Sequence, residues 1–174
     1  FVSCDFRLTE CWTNYFVLDI SRFMITNNTF NHLFLLGRPA SGKSEFIDYM
    51  KKCDVGFRRD KHFIGDLAFL DDFVWLWEKF EEDNLWEKVV GKRLHSKKAG
   101  HGYILGDGSL FDFLIEKLDY FIEKDYVANQ EFYNNKSLII EFSRGGEKPY
   151  QPALNRFSKD VLSKAVILYV NVSG

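Results

Sequence analysis

The chain is short of cysteine, proline and net charge, and each shortage argues against a class of protein. Cys4, Cys11 and Cys53 are odd in number and share no CxxC spacing, which argues against both a disulfide framework and a thiolate zinc site. A reducing cytoplasm fits that usage best. The three prolines, Pro39, Pro149 and Pro152, fall in expected loops or at a helix start, so no Pro-rich linker divides the chain. A formal charge of -2 and a pI near 6.1 leave no global basic footprint, and no nucleic-acid partner is expected. No apolar run approaches the ~20 residues that cross a bilayer, and the first residues, FVSCDFRLTE, lack the regions of a signal peptide. No membrane association is expected. His32, His62, His95 and His101 show neither HxxxH nor HxH spacing, so no transition-metal site is proposed.

What the chain does have is apolar mass. With 174 residues at 46% hydrophobic composition, it can bury one sizeable core, and a single domain is the default. Aromatic residues are abundant, 18 of them Phe, and filling that core is their simplest use. For Trp75, Trp77 and Trp86 core packing is likewise expected, with an apolar acceptor pocket as the alternative.

Hydrophobic periodicity orders the elements. Residues 32–36, HLFLL, fit a buried strand, and residues 43–53 place Phe46, Ile47 and Met50 on one helical face. KHFIG, 61–65, is a weaker strand candidate, with Asp66 as N-cap of a helix carrying Phe69, Leu70, Phe73, Leu76, Trp77 and Phe80. Residues 91–109 read as a long loop, basic in its first half through Arg93, Lys97 and Lys98. A helix follows behind a Ser109 cap with Asp112 three residues on, its apolar face running from Leu110 to Ile122. KSLIIEFSRGG, 136–146, is an apolar strand ending in Glu141, then comes a helix through Leu154, Phe157, Val161 and Leu162, and a β-branched strand in AVILYVNVSG. The order β-α-β-α-α-β-α-β predicts an α/β fold, a three-layer sandwich with a mostly parallel sheet and helices on both faces. Residues 1–30 fit less well; YFVLDISRFMIT reads as an added edge strand or a tail, ahead of a domain spanning 31–174.

Between the first strand and its helix stand Gly37, Arg38, Pro39, Ala40, Ser41, Gly42, Lys43 and Ser44, which is GxxxxGK[ST] without a mismatch. Chance seldom produces that octapeptide in a chain this long. The chemistry is specific: glycines let backbone N–H groups turn around phosphate oxygens, the helix N-terminus adds partial positive charge, Lys43 reaches the β- and γ-phosphates, and the Ser44 hydroxyl is a Mg²⁺ ligand.

From about His32 to Val172 the chain resembles the P-loop NTPase superfamily, and within it the small nucleoside and nucleotide kinase branch. That resemblance implies ATP and Mg²⁺ as cofactors and transfer of the γ-phosphoryl group to a small-molecule or nucleotide acceptor. It places Glu141 beside the phosphate loop, serving Mg²⁺ through water or taking the acceptor proton, and points Arg144 at an acceptor or the transferring group. Such kinases carry an arginine-bearing lid after the strand matched by AVILYVNVSG, which this sequence lacks. Either a C-terminal piece is missing or the basic loop of Arg93, Lys97 and Lys98 takes the role. Asp66, Asp71 and Asp72, with Arg58 and Arg59, stand in the region that usually recognises the acceptor; a helix cap for Asp66 and an exposed polar stripe for Asp71 and Asp72 are the simpler readings. NKxD and DxxG signals of GTPases are absent. The alternative from another class is a nucleotide-dependent regulatory ATPase or switch without a small-molecule acceptor. A third reading is a degenerate module that binds nucleotide without turnover.

Overall fold

The computed structural model describes residues 25–26, 28–144 and 150–170. Most of the N-terminal segment therefore lies outside the described residues. Its last part forms a small antiparallel pair, β1 (Ile25–Thr26) with β2 (Thr29–Phe30), through the Ile25–Phe30 and Thr26–Thr29 registers. The chain then enters β3 (His32–Gly37), whose six residues are all buried.

A strand buried on both faces must find apolar partners on each, and β3 does. Leu33 and Leu35 pack with Phe46 and Met50 of α1 (Lys43–Lys52) on one side. Phe34 and Leu36 meet the opposite layer of Ile115, Leu118, Phe157 and Val161. Full burial of such a side chain contributes roughly 1.5–3 kcal/mol, so these two layers fix which way the strand faces.

After α1 comes a single turn, α2 (Val55–Phe57), capped by the Asp54 carboxylate and running into a π-helical turn over Arg58–His62. The expected strand at 61–65 is not formed. The strand is β4 (Asp66–Asp71), and α3 (Asp72–Val90) begins only where it ends, with Asp71 rather than Asp66 as N-cap. Pairing decides this: β4 matches β7 (Lys136–Glu141) residue for residue, from Asp66 opposite Lys136 to Asp71 opposite Glu141. The segment expected to be a long loop contains a hairpin, β5 (Ser96–Ala99) and β6 (Gly102–Leu105), reversing at Gly100 with φ of +57°. Next is α4 (Ser109–Phe121), with Gly108 at its cap position and no side-chain cap. Ser109 instead gives its N–H and hydroxyl to the Asp107 carboxylate. The helix continues as a π-turn to Val127. The expected last helix is two short ones, α5 (Gln151–Leu154) and α6 (Lys159–Ser163), before β8 (Ala165–Val170).

The main sheet is parallel, ordered β4-β7-β3-β8. The chain is α/β, with helices covering both faces of this sheet. His32 opens β3 fully buried, with Nδ1 donating to Val161 O at 3.0 Å, so Nε2 accepts the Tyr133 hydroxyl at 2.7 Å. Burial, opposed by the Val161 bond and helped by Lys164, pushes its pKa down to about 4 and keeps the ring neutral. Among the described residues no helix is long and apolar enough to cross a membrane.

Candidate functional site

In an open α/β sheet, ligands bind beyond the carboxyl ends of the strands, where neighbouring strands send their connections to opposite faces. That point here lies between β3 and β7. The connection from β3 goes to α1 on one face, and that from β7 leads to α5 and α6 on the other. The octapeptide loop and Glu141 leave the sheet side by side at this crevice, since Leu35 and Glu141 are partners in register.

The loop turns back on itself through Ser41 N–H donating to Arg38 O at 3.1 Å. Ala40 at φ 60° and Gly42 at φ 92° give the left-handed turns that lead into α1. Arg38, Pro39 and Ala40 are exposed, and Gly42 at the N-cap offers no side chain, so no side chain caps the first turn of α1. An uncapped helix start carries N–H groups and partial positive charge together, the combination that receives an anion. Ser44 sits exposed on that first turn, while Lys43 is 5% exposed and folds back over the loop. Its Nζ donates to Gly37 O and Arg38 O, both at 3.1 Å, and lies 3.8 Å from Glu141 Oε1. Ser41 is buried with its Oγ unpartnered and packed on Gly37, where an added Cβ would come within 2.5 Å of it and 2.7 Å of Val170 O. Tyr150, which composition did not single out, holds both polar groups of Gly37: its hydroxyl donates to the carbonyl at 2.7 Å and accepts the N–H at 3.1 Å.

Acidic groups gather across the crevice. Because β4 ends level with β7, Asp71 and Asp72 arrive beside Glu141 rather than on an exposed helical stripe. Asp71 caps α3 by accepting Phe73 N–H at 2.8 Å. Asp72 is 4% exposed and takes Arg144 Nη1 at 2.7 Å. Arg144 also donates to Ser143 O and Phe111 O, and its guanidinium stacks on the Phe111 and Phe142 rings. Burial raises the Asp72 pKa to about 6 even against Arg144. Burial likewise raises Glu141, seconded by the neighbouring Asp71 and opposed by Lys43, and it raises Asp71 against the Phe73 N–H bond. Three carboxylates more basic than usual therefore meet one lysine and one arginine.

Other expected site residues lie elsewhere. Asp66, Arg58 and Arg59 meet at the opposite, amino-terminal end of β4, with Arg–Asp66 separations of 3.9 Å. Arg93 is no lid: it is packed against α3, donating to Asn84 Oδ1, Phe80 O and Ser96 Oγ. Lys98 pairs with Glu87 at 2.6 Å. The reason is Asp83, a fully buried carboxylate that sequence reasoning missed, which accepts the N–H groups of Leu94, His95 and Ser96 and the Ser96 hydroxyl. It pins the hairpin to α3. Of the tryptophans, Trp75 packs against Phe121, whereas Trp77 and Trp86 are 47% and 42% exposed.

Among the described residues no group of three His, Cys, Asp or Glu is placed to hold a metal ion. Mg²⁺ needs less, because it keeps several waters and takes one or two protein oxygens beside phosphate. The exposed Ser44 hydroxyl, next to Lys43 in sequence, and the half-buried Glu141 carboxylate, 3.8 Å from its Nζ, are hard oxygen donors of that kind. No protein-family model matches the chain, and no curated protein or solved structure matches it significantly.

Proposed function

We propose that the chain is an ATP-binding P-loop protein that transfers the γ-phosphoryl group to a small-molecule or nucleotide acceptor. One observation carries the reading: an uncapped helix start behind GxxxxGKS lies at the same crevice as Lys43, Glu141, Asp71 and Arg144. The α1 amides and Lys43 hold the triphosphate, and Gly37, clamped by Tyr150, keeps the loop in the shape that aims them. Ser44, and Glu141 through water, would hold Mg²⁺, which would neutralise phosphate charge when bound. Glu141 is 3.8 Å from Lys43 and stands on the nucleotide side. Asp71 lies one strand further out, so it faces the acceptor and takes the hydroxyl proton as the acceptor oxygen bonds to phosphorus and the β–γ bridging bond breaks. Arg144, held by Asp72, steadies the charge spread over the transferring group.

Incubation with labelled ATP and a panel of nucleosides, nucleotides and sugars tests this. ADP formation should need an acceptor and should vanish in Lys43→Ala. Equal ADP release without any acceptor would instead support a regulatory ATPase or switch, and absence of ATP binding by the native chain would end the nucleotide reading.

A further inference from the structure

The helix α3 breaks the usual rule for surface helices. It carries apolar residues all round, a pattern found where a helix is enclosed. Yet Phe73, Val74, Trp77, Leu85, Val89 and Val90 are 47–75% exposed. Among the described residues it packs on α4, on the sheet side, on the hairpin that Asp83 pins to it, and through Asp72 on Arg144. Isolated exposed apolar side chains need no explanation, but two groups on one helix, Phe73, Val74 and Trp77 near its start and Leu85, Trp86, Val89 and Val90 near its end, mark an interaction surface.

The charges on that surface identify the partner. At 3.6 residues per turn, Val74, Glu78, Glu81, Leu85, Lys88 and Val89 fall within an arc of about 100°, and all six are exposed. The acids occupy the amino-terminal half of this face, and Lys88, followed by exposed Lys92, occupies the carboxyl-terminal end. Such a face is complementary to itself when run antiparallel: Glu78 and Glu81 of one copy meet Lys88 of the other, and Leu85 lies near the axis. A parallel pairing would set like charges together. Val74, Leu85 and Val89, the apolar members of this face, are 54–75% exposed, while Phe73, Trp77, Trp86 and Val90 fall outside its arc.

We infer that α3 is the seam of a homodimer, two copies packed antiparallel along the face of Glu78, Glu81, Leu85, Lys88 and Val89 about a two-fold axis. This rests on surface geometry and not on the proposed activity.

Sedimentation equilibrium of the 174-residue chain should give twice 20.5 kDa as concentration rises through the micromolar range. Lys88→Glu should weaken self-association at least tenfold by facing Glu78 and Glu81 with a third acid. Adding Glu78→Lys and Glu81→Lys to it should restore the dimer, which only a self-complementary seam does. Leu85→Arg should abolish it, while circular dichroism shows the helix retained, since the site is already solvated. A native chain monomeric at every concentration would overturn the inference, including the case in which residues 1–24 of the same chain cover the face. So would a dimer indifferent to the charge exchange.

Discussion

Replacing Arg144 by Met leaves the Asp72 carboxylate buried without its counter-charge while keeping a long apolar stem against Phe111 and Phe142. The cost depends on pH in a way the geometry dictates. Burial has lifted the Asp72 pKa from 3.8 to about 6, so its contribution to stability is fully present below about pH 4 and is lost as pH rises through 6. At pH 5 the folded-state carboxyl is mostly protonated and needs no cation. There the substitution removes an ordinary hydrogen bond, about 1 kcal/mol. At pH 8 it strands a buried charge, and breaking such a pair costs about 3–5 kcal/mol. For a domain of this size that is roughly 10 °C in Tm at pH 8 against about 3 °C at pH 5. Differential scanning fluorimetry of both proteins across this range reads it directly, and protonation of His32 in the unfolded chain affects both proteins equally and cancels. Adding Asp72→Asn to Arg144→Met should recover most of the pH 8 loss and flatten the profile. Equal losses at pH 5 and pH 8 would refute the reasoning.

His32 gives the opposite sign. Its pKa is depressed from 6.5 to about 4, so the stability it contributes is present above 6.5 and about 3 kcal/mol is lost as pH falls to 4. His32→Asn should be less stable at pH 7 but show a shallower acid limb in urea midpoints. Tyr150→Phe keeps the ring but leaves the buried Gly37 N–H without its acceptor, a cost of about 1–3 kcal/mol; ATP titration should also show weaker binding than wild type at a temperature where both are folded. Gly37→Ala forces a Cβ against Ser41 Oγ and the Val170 carbonyl, and should lower the urea midpoint by the equivalent of about 1–3 kcal/mol. Unchanged midpoints there would mean that β8 yields more easily than its register with β3 implies.

The central strands were legible because their burial on both faces writes a continuous apolar run: HLFLL and SLII are β3 and β7. The octapeptide marked its loop for a different reason, since its glycines stand where the backbone turns between β3 and α1. LAFLD misled because its apolar residues satisfy a helical period as well as a strand. What made it β4 was a partner 70 residues away, and no local pattern encodes that. The same blindness hid the site's acidic side: Asp71 and Asp72 became neighbours of Glu141 only through that register. The hairpin had a local signal in Ala99–Gly100–His101–Gly102. Asp83 had none, because a carboxylate among Glu81, Glu82 and Glu87 looks solvated until its backbone partners are in place.

The sheet order also imposes a timetable. Leu33 pairs with Ile139 on one side and Val166 on the other, and Gly37 lies against Val170. The loop between β3 and α1 is encoded near the start of the domain, yet of the strands that flank its base β7 comes only at Lys136–Glu141 and β8 at Ala165–Val170. Pairings so distant in sequence form late. During synthesis, then, the octapeptide emerges early and cannot take its final shape until β8 has left the ribosome. On the function proposed above, affinity for nucleotide in a nascent chain would mark completion of the sheet, making the loop a reporter of its own fold.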